Sequence, residues 1–375
     1  MKYMGSKQKM LMNGLGKTLL RESKNSKRFV DLFTGSGAVA WYIAENTNCK
    51  VIASDIQKYS TVLADAIIVR NEKIDHESIW KTWKENAEKY LKEKSEYGLI
   101  QKYYENNWKK KTKKNVKEMR NFCNECVGYP ITQAYGGHYF SPLQAMQIDA
   151  LRYSLPTGVK EKNVSLAALI HAASECAASP GHTAQPFQPT KTAKEYLFGA
   201  WKESIFDHAS NALKKIGPRH AKTVGESLVC DAFELAVLLE EGDLVFIDPP
   251  YSGVHYSRFY HVLETIARGS CSVVEGVGRY PPSNERPKSD YSLRTKSKEA
   301  LKNLLEALSK RRVKVVLTFP KEKTSNGLSG SIVRRLAEKY FLVKQKTVNG
   351  RFSTLGKAHV SAYEVILTMK PFIGN

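Results

Sequence analysis

Arg28-Phe29-Val30-Asp31-Leu32-Phe33-Thr34-Gly35-Ser36-Gly37 is a short apolar run that stops on two glycines one residue apart. An apolar run of this length, closed by turn residues, reads as a buried strand. The glycines permit a sharp turn into a helix, expected over 38–45. A second strand follows at Val51-Ile52-Ala53-Ser54-Asp55, and a helix rich in Ala, Leu and Ile is expected over 59–69. Strand, glycine turn, helix and strand make the βαβ unit of a parallel sheet. The same rhythm resumes late in the chain. It predicts strands at 227–231, 244–248, 313–319, 341–348 and 358–368, with helices over 259–268, 296–310 and 331–340.

The stretch between is of a different kind. Residues 72–120 are highly charged and carry Trp80, Trp83, Tyr90, Tyr97, Tyr103, Tyr104 and Trp108, which predicts helices with polar surfaces; an apolar helix is expected over 166–178 and another helix over 194–215. The expected organisation is one α/β domain, residues 1–70 and 225–375, interrupted by a mostly helical insertion, residues 71–224. Apolar residues at 42% supply a core, while 58 Lys and Arg against 37 Asp and Glu leave a net charge of +21. Such an excess attracts polyanions, nucleic acid first and an acidic membrane surface second. No apolar run is long enough for a membrane span, and six cysteines make no disulfide framework, so a reduced, cytoplasmic setting is expected. Cys123 and Cys126 form a lone CxxC without the second pair a zinc site needs, and no metal is expected.

Two motifs carry chemistry. Gly35, Gly37 and Ala40 fit the loose dinucleotide pattern GxGxxA, in which glycines let a ligand approach backbone amides at a helix start. Asp55 ends the next strand, where a carboxylate can accept both hydroxyls of a ribose. An ordinary ligand-free turn fits this pattern as well. The second motif is more specific: Asp248-Pro249-Pro250-Tyr251 directly follows the strand Leu244-Val245-Phe246-Ile247. Consecutive prolines fix φ and stop the strand, presenting a carboxylate and a carbonyl at the carboxyl edge of a sheet, where open α/β folds bind ligands.

Asp-Pro-Pro-Tyr combined with Phe-x-Gly-x-Gly resembles the amino-group methyltransferases that use S-adenosylmethionine. Lys2-Tyr3-Met4-Gly5-Ser6-Lys7 resembles the segment preceding the glycine turn in the α-group, or Dam-like, DNA adenine-N6 methyltransferases, whose motif order is also matched. The resemblance implies a Rossmann-like methyltransferase sheet, S-adenosylmethionine as cofactor and double-stranded DNA as substrate. For a modification enzyme it also implies a cognate restriction endonuclease or other defence-system protein as partner. It implies that Tyr3 and Lys7 flank the cofactor or target pocket, and that Phe33, Gly35, Ser36 and Gly37 hold the methionine moiety. Asp55 is similar in placement to the ribose-binding acid. Asp231 resembles the acceptor for the cofactor's adenine amino group, with Phe233 against the ring; a helix cap is the other reading of Asp231.

The chemistry these residues would perform is physically coherent. An exocyclic amino nitrogen is a poor nucleophile because its lone pair is conjugated into the ring. Asp248 and the Pro249 carbonyl, accepting both amino hydrogens, would localise that pair; Pro250 fixes the loop and Tyr251 would stack on the target base. The base must first leave the duplex. Tyr256 is expected to wall the pocket, and His261, on an apolar helix, to be structural. The basic run Lys109, Lys110, Lys111, Lys113, Lys114, Lys117 and Arg120 suits phosphate contact, although a solvated helix face has the same composition. Base reading is expected from the loops 136–141 or 181–188. Cytosine-N4 or RNA adenine methylation is the nearest alternative; a dinucleotide-dependent oxidoreductase would leave residues 248–251 unexplained.

Overall fold

Arg28–Asp31 forms β1 and Lys50–Asp55 forms β2, parallel and in register with Val30 opposite Ile52; the helix Ala38–Asn46 joins them. The computed structural model describes residues 7–107, 112–354 and 357–372. They divide into two compact units. The sheet unit takes the described parts of Met4–Glu72, Arg219–Tyr256 and Pro287–Asn375; Lys73–Pro218 and Ser257–Arg286 belong to a helical unit.

β3 (Glu226–Val229), β4 (Leu244–Ile247), β5 (Lys314–Pro320), β6 (Phe341–Thr354) and β7 (Lys357–Pro371) complete a seven-stranded sheet ordered β3-β2-β1-β4-β5-β7-β6. β1 to β5 run parallel, and β7 lies antiparallel between β5 and β6. This is the Rossmann-like α/β sheet that the βαβ pattern predicts. The strand order reverses between β1 and β4, and such a reversal leaves a crevice at the carboxyl ends of the two strands.

Period-two alternation assigns the two faces of the sheet. Val30, Val245, Leu317 and Val365 face one side, where the helix Ser297–Lys310 buries Leu301, Leu304, Leu305 and Leu308 at helical spacing. Each such leucine contributes roughly 2 kcal/mol of burial. The helices Ala38–Asn46 and Lys58–Ile68 cover the other face, and both are almost wholly buried.

Several boundaries differ from expectation for physical reasons. β3 stops at Val229 because the Asp231 carboxylate caps the helix Ala232–Ala236, accepting from Phe233 N at 2.8 Å. The helix expected over 194–215 is broken, with Ser204 capping a new one at Ile205–Ile216. β6 runs on to Thr354 because its pairing with β7 continues.

In the helical unit, the alanine-rich helix Val159–Cys176 packs along Ile205–Ile216, and Trp83 donates to the Leu151 carbonyl at 2.8 Å. Residues 257–286, expected with the sheet, belong here instead. Phe259 O accepts from Thr183 N at 2.7 Å, and Gly278 O accepts from the Tyr139 hydroxyl at 2.9 Å. His261 is buried among Tyr135, Tyr139 and Tyr280, with its ring nitrogens 3.2 and 2.9 Å from the Arg258 and Gly278 carbonyls. A neutral ring can donate to one of these carbonyls, and that bond within the aromatic cluster gives it the structural role its helix predicts.

Candidate active site

Register places the carboxylate of the proline motif. Phe246 pairs with Val316, so Asp248, two residues on, stands opposite Thr318 on the same face. The Thr318 hydroxyl donates to Asp248 Oδ1 at 2.7 Å. Lys7 approaches the other oxygen, Nζ lying 3.0 Å from Asp248 Oδ2 and 3.3 Å from Glu364 Oε2 on β7. Lys7 is 4% exposed and Glu364 5%. Burial pushes the Lys7 ammonium toward deprotonation, but the two carboxylates outweigh it and its pKa is raised above the ordinary lysine value. Burial also raises the Glu364 pKa, against the opposing pull of Lys7.

The loop that follows is tied down. Buried Asn326 donates through Nδ2 to the Pro250 carbonyl at 2.8 Å and to the Tyr291 carbonyl at 3.0 Å. Gly253 N donates to Ser325 Oγ at 2.8 Å. Tyr251 and Tyr256 meet edge to face, centroids 6.3 Å apart, and Lys7 Nζ lies 5.9 Å from the Tyr251 ring centre. The motif is therefore a braced corner presenting a carboxylate beside two aromatic rings.

At the neighbouring strand tips lies the glycine turn. Gly35 and Gly37 have φ of 51° and 76°, left-handed values, and a side-chain carbon on Gly37 would stand 3.1 Å from Trp41 Nε1. The Asp55 carboxylate accepts from Gly35 N at 2.9 Å and Gln57 N at 3.0 Å, which ties the glycine turn to the tip of β2. Phe33 packs edge to face on buried Tyr291, 5.0 Å between centroids, and Ser36 is half-buried in the turn. Asp31, at the tip of β1 and 1% exposed, accepts from Phe33 N at 3.3 Å. Burial, reinforced by Asp248 and Asp55, raises its pKa well above the carboxylate range.

The structure thus gathers Lys7, Phe33, Gly35, Ser36, Gly37, Asp55 and residues 248–251 at the carboxyl edge on both sides of the β1/β4 reversal. Asp231 is a helix cap here, and Phe233 lines an open groove with Asn303, Glu306 and Lys310. Tyr3, Lys109, Lys110 and Lys111 lie outside the described residues. Lys113, Lys114 and Lys117 are exposed on the helix Lys113–Glu125, whose other face buries Val116, Met119 and Cys123. Arg120 differs from them: it turns inward, donating to the Gly137 carbonyl at 2.8 Å and to Gln188 Oε1 at 3.2 Å. The loops expected to read bases are largely internal, with Tyr139, Phe140, Ser141, His182 and Thr183 all buried. Cys123 and Cys126 are buried thiols; burial raises both pKa values, that of Cys126 to about 11. No metal-binding cluster of His, Cys, Asp or Glu is found among the described residues, and none of their helices is long and apolar enough to cross a membrane.

Thr318, Glu364, Asn326 and Asp31 are the site residues that sequence reasoning missed. A threonine within an apolar strand, a glutamate in a strand whose neighbours are apolar, and an acid just before the glycine turn were the available signals.

The sequence model of the D12 class N6 adenine-specific DNA methyltransferases matches residues 3–316. The chain is similar to the modification methylase LlaI of Lactococcus lactis subsp. lactis, 26% identical over 276 residues, covering 72% of this chain and 38% of that protein. It is also similar to the modification methylase StsI of Streptococcus sanguinis, 24% identical over 336 residues, covering 86% of this chain and 44% of the relative. The chain spans less than half the length of both relatives.

Proposed function

Because this chain belongs to the D12 class of N6 adenine-specific DNA methyltransferases, we propose that it methylates the exocyclic amino group of adenine in double-stranded DNA, using S-adenosylmethionine. The observation that carries the reading is the Asp248 carboxylate, braced at the strand-order reversal by Thr318 and Lys7.

The residues at the edge fit the cofactor. The Asp55 carboxylate at the tip of β2 suits a ribose diol, and the left-handed glycines turn the chain sharply into the start of a helix, where backbone amides can meet a ligand. When bound, S-adenosylmethionine supplies an activated methyl group and a neutral thioether leaving group. This chain's residues then have to position more than activate.

An adenine extruded from the duplex, at a cost of a few kcal/mol, would stack on Tyr251 beside Tyr256. Its amino hydrogens would be accepted by Asp248 and the Pro249 carbonyl, localising the nitrogen lone pair toward the methyl group. Lys7, kept charged by its carboxylates, cannot serve as a base; the proton released from nitrogen would leave through Asp248. Lys7 holds an oxygen that the amino group needs, and Glu364 gives the ammonium a second partner when the base arrives. Since both relatives are named modification methylases, the proposed setting is a cytoplasmic modification or defence system, paired with a cognate restriction endonuclease.

Asp248→Ala tests the assignment. Methyl incorporation from labelled cofactor into unmethylated DNA should be abolished while calorimetry still shows cofactor binding; retained turnover would falsify it. Mass spectrometry of nucleosides from wild-type product should show N6-methyladenine, and N4-methylcytosine in its place would transfer the reading to cytosine.

A further inference from the structure

Beyond Gln8–Met10 the chain passes through a π-helical turn, Leu11–Leu15, into the helix Gly16–Ser23. The path breaks at Asn13 and Gly14, where Gly14 takes φ 109°, a left-handed value. Lys346 of β6 reaches into the break, its Nζ 2.8 Å from where a side-chain carbon on Gly14 would stand. Helix and strands enclose a cavity of about 320 Å³. Lys17 and Arg21 line one wall, Lys344 and Lys346 the other, with Thr18 and Thr368 between.

Among the described residues, no carboxylate lines this cavity. Arg21 pairs with its neighbour Glu22, which is not part of the wall. The groove beside Phe233 shows the contrasting arrangement, Glu306 lying 2.7 Å from Lys310. Like charges crowded together are destabilising, so a concave wall of four cations, of which Arg21 has Glu22 beside it, favours an anion. Lysines on an edge strand also discourage strand pairing, but that role needs no cations on the facing helix.

The position indicates which anion. Glu364, Ile366 and Thr368 share one face of β7, and Glu364 contacts Lys7 at the catalytic carboxylate. At a rise of about 3.3 Å per residue, Thr368 lies ~13 Å along the strand from Glu364. Successive phosphates of a duplex strand advance about 3.4 Å along the axis, so a separation of ~13 Å is within the reach of a duplex with one base held at Asp248. We propose that this cavity binds a backbone phosphodiester of the DNA substrate a few base pairs from the target adenine. The proposal rests on the DNA-methyltransferase reading.

Binding of a labelled duplex by the full chain, measured by fluorescence anisotropy across a salt series, tests it. Losing the cations that hold this one phosphate in Lys344→Ala/Lys346→Ala should make the log–log salt slope shallower by up to about 0.9 and weaken binding up to ~8-fold at 0.1 M salt, converging with wild type near 1 M. Lys17→Ala/Arg21→Ala, on the opposite wall, should behave alike, and calorimetric cofactor affinity should stay unchanged in both. Wild-type binding with neither variant moved overturns the proposal alone. Calorimetric binding of inorganic phosphate by wild type, lost in the variants while their duplex slope is unmoved, also overturns it, since the site would then serve a free anion. A wild-type chain with no salt-dependent duplex affinity defeats the DNA reading together with the proposal.

Discussion

At the scale of single residues, the site turns on one ammonium shared between two carboxylates. Lys7 takes up one lone pair of Asp248 Oδ2 and would compete with an incoming amino group for that oxygen, so Glu364 on its other side sets how easily it shifts away. Glu364→Gln should draw Lys7 more firmly onto Asp248. Single-turnover methyl transfer should slow on the order of tenfold, about 1.4 kcal/mol of barrier, with cofactor affinity unmoved; an unaltered rate would remove Glu364 from the catalytic cycle. Asp248 was legible in the sequence because two prolines after an apolar strand leave a carboxylate few other placements. Lys7 was legible only through resemblance. Thr318 was not, because it lies 70 residues from Asp248 in the chain and is brought there by register alone. Asn326, which anchors Pro250, is hidden in the same way, 76 residues away.

Among the elements, the glycine turn carries a strict backbone demand. Gly37→Ala would add a side chain at φ 76° and 3.1 Å from Trp41 Nε1, whose hydrogen bond to the Leu63 carbonyl fixes that ring. A left-handed residue costs roughly 1–2 kcal/mol before any steric conflict. The variant should unfold at lower denaturant by at least that amount and bind S-adenosylmethionine more weakly in calorimetry. The strands of the sheet were readable because short apolar runs between turn residues repeat. The ends were less so: a capping acid such as Asp231 looks like strand until its bond to Phe233 N is seen. The inward turn of Arg120 was equally hidden, since a basic run does not reveal which member serves the protein's own loops. Lys113→Ala/Lys114→Ala/Lys117→Ala should reduce the salt slope of duplex binding by up to about 2.7, alike on all sequences. An unchanged slope would make the exposed face of Lys113–Glu125 a solvated surface only.

Across the molecule, acid sensitivity should concentrate in the helical unit. Burial, with Arg286 and Arg258 adding to it, lowers the His261 pKa to about 4 from the ordinary 6.5, although its two carbonyl partners pull the other way. Burial, Arg120 and Arg279 lower His138 to about 2. Both imidazoles are neutral when folded and take up protons on unfolding. Their contribution to stability is thus complete above pH 6.5 and declines as pH falls through the window toward 4. His261 alone should remove about 2 kcal/mol between pH 8 and pH 5. Asp149, its pKa raised to about 7 by burial, adds stability over the same window as pH falls. The His261 loss is therefore read as the stability of wild type relative to His261→Gln, in denaturation followed by tryptophan fluorescence, which samples Trp80, Trp83 and Trp201 in this unit. Wild type should lose that amount relative to the variant as pH falls; equal slopes in variant and wild type would contradict the assignment.

The order of the strands has a consequence for synthesis. β1 is flanked by β2 and β4, and Phe29 awaits Leu244 as its partner. On a ribosome adding 5–20 residues per second, roughly 10–40 s pass between the emergence of the two. Throughout that interval the nascent chain exposes an apolar ribbon with an unsatisfied edge. Chaperone capture during translation, more than the finished fold's stability, should govern how much soluble protein a cell recovers.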